Sequence, residues 1–309
     1  MRSWVAAGTA LLLSGCVANS GTSSAKVAPP VAVAAVEIEP AVPTVTARPE
    51  LPPVAFGPWE GFGIAGCSYL APKDEGLVAE DGGVDVVFHF HAGQMSTREM
   101  IASGVRGVFV SCGYGIGSES YSRPFESPAR FGNMMKRLLA TVGKRAQRVV
   151  HLRHLALASW SAGFASVGKI LAIPEWYDKT DSVVLLDSLH AGYTESGEVD
   201  AKMLRHFVRF AVDARAGKKA MVITHSAIVP PGYASSAEAT TTLLAEAGLQ
   251  GDHAARSADD PTLTVRVDDG DLHVRGFRGS GPHDHFDHLH RIGETLRSWV
   301  VPRWYTPAQ

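Results

Sequence analysis

The sequence is short of the features that mark several protein classes. Three cysteines in 309 residues are too few for a disulfide framework. An excess of one charge is missing too. Lys+Arg number 29 against 31 Asp+Glu, a formal net charge of -2, whereas a nucleic-acid binder carries a basic patch. The apolar run near the N-terminus is too short to span a bilayer, which takes about 20 residues. Neither the 31 glycines nor the 18 prolines fall in a G-X-Y period, which excludes collagen, and no internal repeat is visible. Charged residues make up only 19%, so the chain is not disordered throughout. What is present is 45% hydrophobic residues, enough to bury a core. At roughly 100–200 residues per domain, the length allows one large domain or two small ones.

The N-terminus reads Met1-Arg2-Ser3-Trp4, a short apolar run, then Leu13-Ser14-Gly15-Cys16. One positive charge, an apolar stretch and small residues before a cleavage point are the parts of a signal peptide. Leu-Ser-Gly-Cys resembles the bacterial lipobox, in which the peptidase cuts before a cysteine whose thiol carries diacylglycerol. Residues 1–15 are therefore expected to be a lipoprotein signal peptide and Cys16 the lipidated residue. Val17 rather than Asp follows, which in enteric-type sorting favours the outer membrane of the cell envelope. Residues 16–54 are rich in Ala, Val and Pro without aromatics, the composition of an extended tether. At ~3.1 Å per residue it could hold a domain up to ~100 Å from the lipid. Cys67 and Cys112 remain. In an oxidising compartment they either pair or stay buried as free thiols, and spacing alone does not decide.

From Phe56 onward, strands and helices alternate. Strands are expected at 84–90, 107–111, 154–158, 182–187 and 219–224, with helices over 128–142, from the 161–163 turn to Ile173, and around 204–212. Residues 262–267 and 272–277, joined at Asp269-Gly270, read as a hairpin, so an antiparallel strand is expected before Leu272. The last helix carries Leu289, Ile292, Leu296 and Trp299. The predicted fold class is α/β, a mostly parallel sheet with helices on both faces, over residues 55–309.

Ala158-Ser159-Trp160-Ser161-Ala162-Gly163 follows an apolar strand and opens a helix. That is the setting of a nucleophile elbow, whose tight turn pushes a serine Oγ out at the sheet edge. The usual pattern is G-x-S-x-G, and Ser159 stands at the first glycine. Phe88-His89-Phe90-His91-Ala92-Gly93 ends an earlier strand, where acyl-transfer enzymes place a backbone N–H for the oxyanion. Ala162, with Ala92 or Gly93, would supply the two donors.

With these segments the chain resembles the α/β-hydrolase superfamily, from about Phe56 to Trp304. The resemblance implies a serine hydrolase (carboxylesterase or lipase-like) acting on an ester, thioester or amide, with a Ser, Asp or Glu, His order along the chain. It implies no cofactor. Ser161 is the nucleophile by that comparison. Most members carry the acid after the second strand past the elbow, but here no carboxylate follows Thr224-His225-Ser226 until Glu238. Some place it after the first, which ends in Asp187, and Asp187 is preferred. The base lies in Gly281-Pro282-His283-Asp284-His285-Phe286-Asp287-His288-Leu289-His290. Asp-His-Phe-x-His points to His285, in a loop just ahead of the final helix, with His283 second and His288 third.

Two other readings stand beside this one. His283-x-His285-x-Asp287-His288 also fits the zinc motif of metallo-β-lactamase-like hydrolases, although there the motif lies early in the chain. The fold could also serve as a non-catalytic envelope binding protein. Gly113-Tyr-Gly-Ile-Gly117 lacks Lys-Ser/Thr and a following helix, so it is not read as a phosphate loop. Residues 230–248 are expected to be helical in their second half and could cap the site. The expected partners are a small-molecule or lipid-like acyl substrate and a membrane, through the anchor, with no nucleic acid.

Overall fold

The computed structural model describes residues 54–305, apart from positions 74, 75, 252, 256 and 259. The expected signal peptide, Cys16 and all but the last residue of the tether lie outside the described residues.

Nine strands form one sheet. They are β1 (Glu60–Gly61), β2 (Cys67–Leu70), β3 (Gly83–Phe90), β4 (Val108–Cys112), β5 (His151–Trp160), β6 (Ser182–Leu186), β7 (Ala220–His225), β8 (Leu263–Asp269) and β9 (Leu272–Phe277). Their order is β1-β2-β4-β3-β5-β6-β7-β9-β8. The central strands from β4 to β9 pair in parallel. β1 and β2 extend one edge antiparallel, and β8 closes the other as a hairpin with β9 through Gly270 at φ 58.

Strand periodicity of two feeds two cores, one on each face of the sheet. Val86, Phe88 and Phe90 of β3, Leu155 and Leu157 of β5, and Val183 and Leu185 of β6 enter the first. The helices Ala129–Ala146, Phe164–Leu171, Ala201–Arg215 and Ser236–Glu246 cover it with residues such as Phe131, Ile170, Phe207 and Leu243. Val87, Ala156, Ala158, Val184 and Leu186 enter the second. That face is covered by Met100 of the short helix Thr97–Ala102 and by a C-terminal helical run whose Leu289, Ile292, Leu296 and Val300 point inward. Each such side chain contributes roughly 1.5–3 kcal/mol by leaving water. The fold is thus a mostly parallel α/β sheet with helices on both faces. Among the described residues, no helix is long and apolar enough to cross a membrane.

Three boundaries differ from the sequence expectation. β5 begins at His151, because its first residues alternate outward and only the later ones are buried on both faces. A short helix, Ser118–Ser122, does follow Gly117, where none was expected. Its buried Tyr121 donates to the Gly115 carbonyl and accepts from the Tyr114 N–H, which folds the glycine-rich loop back onto it. The final helix begins at Pro282, so His283 and His285 lie in its first turn and not in a loop ahead of it.

Candidate active site

Ser161 follows the last residue of β5 and opens a single turn, Ser161–Gly163, that leads into the helix Phe164–Leu171. Its φ is 51, a left-handed conformation that costs a non-glycine residue energy and is kept where the surroundings enforce it. The turn packs against the end of β3 so closely that a Cβ on Gly163 would overlap the Phe90 carbonyl. Only glycine fits there. At the other elbow position, Ser159 is fully buried and its Oγ lies 2.8 Å from Ser188 Oγ.

Left-handed non-glycine residues gather at this end of the sheet. Besides Ser161 they are His91 at φ 74, Ala92 at φ 56 and Asp187 at φ 46, with Gln147 elsewhere as a helix C-cap. Three successive strand ends, those of β3, β5 and β6, therefore carry the strained turns.

Asp187 follows β6 and is 2% exposed. Its Oδ2 accepts from His285 Nδ1 at 2.7 Å and from the Ser226 hydroxyl at 2.7 Å. Its Oδ1 accepts from the Ser226 N–H at 2.9 Å and from the Ser236 hydroxyl. Burial alone would push its pKa up. The hydrogen bonds from His285, Ser226 and Ser236, with His288 nearby, outweigh that and hold the carboxyl well below the usual carboxylate range. Asp187 is a fixed anion whose lone pairs are taken.

His285 lies in the first turn of the helix Pro282–His290. Asp284 accepts from the Gly281 N–H at 2.7 Å and pins the helix start. The Trp160 indole N–H donates to the His285 carbonyl at 2.8 Å, and the two rings lie 4.5 Å apart. With Nδ1 engaged by Asp187, Nε2 is the ring nitrogen left for chemistry. Ser161 and His285 line one cavity of about 410 Å³.

The other histidines of this helix go elsewhere. His288 is buried with Nδ1 2.7 Å from the Thr224 hydroxyl, and burial lowers its pKa to about 4. His290 meets Glu99 at the surface, and His283 is exposed. The helix thus spreads the residues of the zinc-like motif. Among the described residues no three His, Cys, Asp or Glu side chains converge as a metal site. Glu238 accepts from the Ser235 N–H and hydroxyl in a capping box at the start of Ser236–Glu246, and makes no bond to a histidine.

Of the residues expected to offer oxyanion donors, Ala162 is in the first helical turn, where N–H groups have no intrahelical partner. Ala92 caps the 3₁₀ turn Gly93–Ser96, and no acceptor among the described residues takes its N–H. A Cβ on Gly93 would stand 2.9 Å from His89 Nδ1 and from Ser111 Oγ, so this loop needs its glycine. Burial lowers the pKa of His89 to about 3, so it lies neutral beneath the loop. Cys67 and Cys112, opposite each other on β2 and β4, are joined by a disulfide. The Cys112 carbonyl accepts the His91 N–H at 2.9 Å, which ties the disulfide strand to this loop.

Two wall residues carried no role in the sequence analysis. His190, three residues after Asp187, packs its ring against Phe164 and Tyr233 and reaches the Ala234 carbonyl at 3.2 Å. Burial lowers its pKa. His190 and Tyr233 line the space beside Ser161. No short-range pattern marks them, because they meet Ser161 only through the fold.

No protein-family model and no curated protein matches the chain. Solved structures do align with it. The ferric enterobactin esterase of Salmonella typhimurium does so with a TM-score of 0.44 at 13% identity, over 77% of this chain and 54% of that one. The chain thus spans about half the length of that enzyme. Thermogutta terrifontis esterase 2 aligns with a TM-score of 0.43 at 14% identity, over 84% of this chain and 99% of that one. A cold-adapted esterase from an Arctic intertidal metagenomic library gives 0.43 at 10%, over 75% and 86%.

Proposed function

We propose that the chain is a serine hydrolase that cleaves a carboxylic ester, thioester or amide through an acyl-enzyme on Ser161. Ser161 Oγ bonds to the substrate's carbonyl carbon as its proton passes to His285 Nε2. Asp187 holds Nδ1–H, fixes the tautomer and stabilises the imidazolium. Negative charge gathers on the carbonyl oxygen, toward the N–H groups of Ala162 and of Ala92 or Gly93. The bond to the leaving group breaks, and that group takes the proton from His285. Water then repeats the sequence on the acyl-enzyme, releasing the acid and freeing Ser161. No cofactor enters these steps.

The observation that supports this most is the Asp187–His285 contact of 2.7 Å, with His285 and the left-handed Ser161 on the wall of one cavity. Its test is turnover of p-nitrophenyl acetate. Wild type is expected to give a stoichiometric burst of nitrophenolate that EDTA leaves unchanged. Ser161→Ala, folded by circular dichroism, is expected to fall to background. Retained turnover in Ser161→Ala would overturn the proposal.

Export and anchoring belong to the same proposal. Residues 1–15 direct export, Cys16 carries lipid, and residues 16–54 hold the domain at 55–309 in the cell envelope. Cys16→Ser is expected to release the protein from the detergent-rich fraction or leave it unprocessed. Unchanged partition would contradict the anchor.

A further inference from the structure

Two cavities meet at Ser161, and their walls differ. The first, about 480 Å³, is lined by His91, Ala162, Phe164, Met203 and Tyr233, with Ile116 at 94% exposure on its rim. The second, about 410 Å³, is lined by Asp187, His285, Ser226, Ile228, Pro230 and Ser280. Resting on the serine-hydrolase reading, we infer that the substrate is an uncharged ester whose apolar acyl chain lies in the first cavity and whose alcohol departs through the second.

The direction follows from proton transfer. The leaving oxygen must take its proton from His285, which lines only the second cavity. The carbonyl oxygen must meet the Ala162 N–H, and Ala162 lines only the first. With its carbon at Ser161 Oγ, the substrate therefore places its acyl chain on the Ala162 side.

The charge follows from the walls. The first cavity has no Lys, Arg, Asp or Glu on its wall, and burial keeps its two histidines, His91 and His190, on the neutral side. The single carboxylate of the second, Asp187, already accepts four hydrogen bonds. A charged group on either side would give up hydration without meeting an unengaged opposite charge. An apolar chain meets Phe164, Met203 and Tyr233 instead, and each methylene it buries strengthens binding about fourfold.

The test uses the full chain and compares kcat/KM for methyl octanoate, its isomer heptyl acetate, and monomethyl suberate, which ends the octanoate chain in a carboxylate. Methyl octanoate is expected to exceed heptyl acetate by ~10-fold or more. Monomethyl suberate is expected to fall on the order of 100-fold below methyl octanoate. Met203→Trp, which fills the first cavity, is expected to lower turnover of methyl octanoate far more than that of heptyl acetate. Equal use of the isomers, preference for heptyl acetate, or suberate turned over as well as octanoate would each overturn the inference. A small fluorophosphonate applied in parallel separates the two levels. Labelling of Ser161 with no turnover of any of these esters overturns the substrate class alone. No labelling of Ser161 overturns the serine-hydrolase reading beneath it.

Discussion

The Ser188 hydroxyl donates to the main-chain carbonyl of Ser161 across 2.7 Å. A carbonyl only accepts, so the Ser188 proton is committed and its oxygen accepts from Ser159, 2.8 Å away. Two hydroxyls thus join the end of β5 and the turn after it to the turn after β6. Each turn carries a left-handed residue, Ser161 in one and Asp187 in the other. The serine that replaces the usual first glycine of the elbow is the outer member of this chain.

Ser188→Ala is expected to lower kcat by roughly 10-fold with KM little changed, because a misplaced nucleophile loses rate more than binding. Ser159→Gly breaks only the outer link and is expected to cost less. Steady-state kinetics on the same ester decide it. A raised KM with unchanged kcat would argue against a positioning role.

Asp187→Asn is expected to keep the fold and lose kcat on the order of 10⁴-fold, through the wrong histidine tautomer. Glu238→Gln removes a charge from the first turn of a helix but keeps a side chain that can close the capping box, so its expected cost is at most about 0.3–1 kcal/mol of stability, with activity retained. An inactive Glu238→Gln beside an active Asp187→Asn would reverse the assignment.

At the start of β3, buried Asp85 accepts from Arg153 and His154 and from the hydroxyl of Tyr305, which clasps the C-terminal helix to the sheet. Burial opposes its charge, but Arg153, His154 and Tyr305 outweigh it and lower its pKa to about 2. The ionised carboxylate is the favoured folded form, so its contribution is present above pH ~4 and lost as pH falls toward ~2. That contribution is about 2 kcal/mol at neutral pH. Urea unfolding of wild type and Asp85→Asn should show a gap at pH 7 that closes near pH 2. An equal gap at both would contradict it.

The disulfide closes a loop with a sequence separation of 45, worth up to about 4 kcal/mol by chain entropy. Replacing Cys67 and Cys112 by Ser should lower Tm. Because the Cys112 carbonyl holds the His91 N–H beside the proposed oxyanion donors, kcat should fall too. A lower Tm with full kcat would confine the bond to stability.

Much of this was legible in the sequence because it is local. An apolar strand, a small-residue turn and a helix around Ser161 are adjacent in the chain, and so is the abrupt Asp187 after 182–186. The apolar positions of the final helix begin only at Phe286 and Leu289, so His283 and His285 read as loop, although Pro at the first position and Asp284 behind it are a helix opening. The role of Glu238 was readable: Ser235-Ser236-Ala237-Glu238 is a capping-box pattern. His190, Tyr233, and the link from Ser188 to Ser159 were not, since their contacts span separate elements. The choice between a disulfide and two thiols needed the register of β2 against β4.

Covalent labelling tests Ser161 and His285 most directly. The full chain is treated with a fluorophosphonate, with and without EDTA, and the adduct is mapped by tandem mass spectrometry. The expected result is a phosphonyl group on Ser161, equal with and without EDTA, lost in His285→Ala and kept in His283→Ala and His290→Ala. An adduct on another residue, no adduct, or labelling that EDTA abolishes and Zn²⁺ restores would contradict the Ser161–His285–Asp187 assignment.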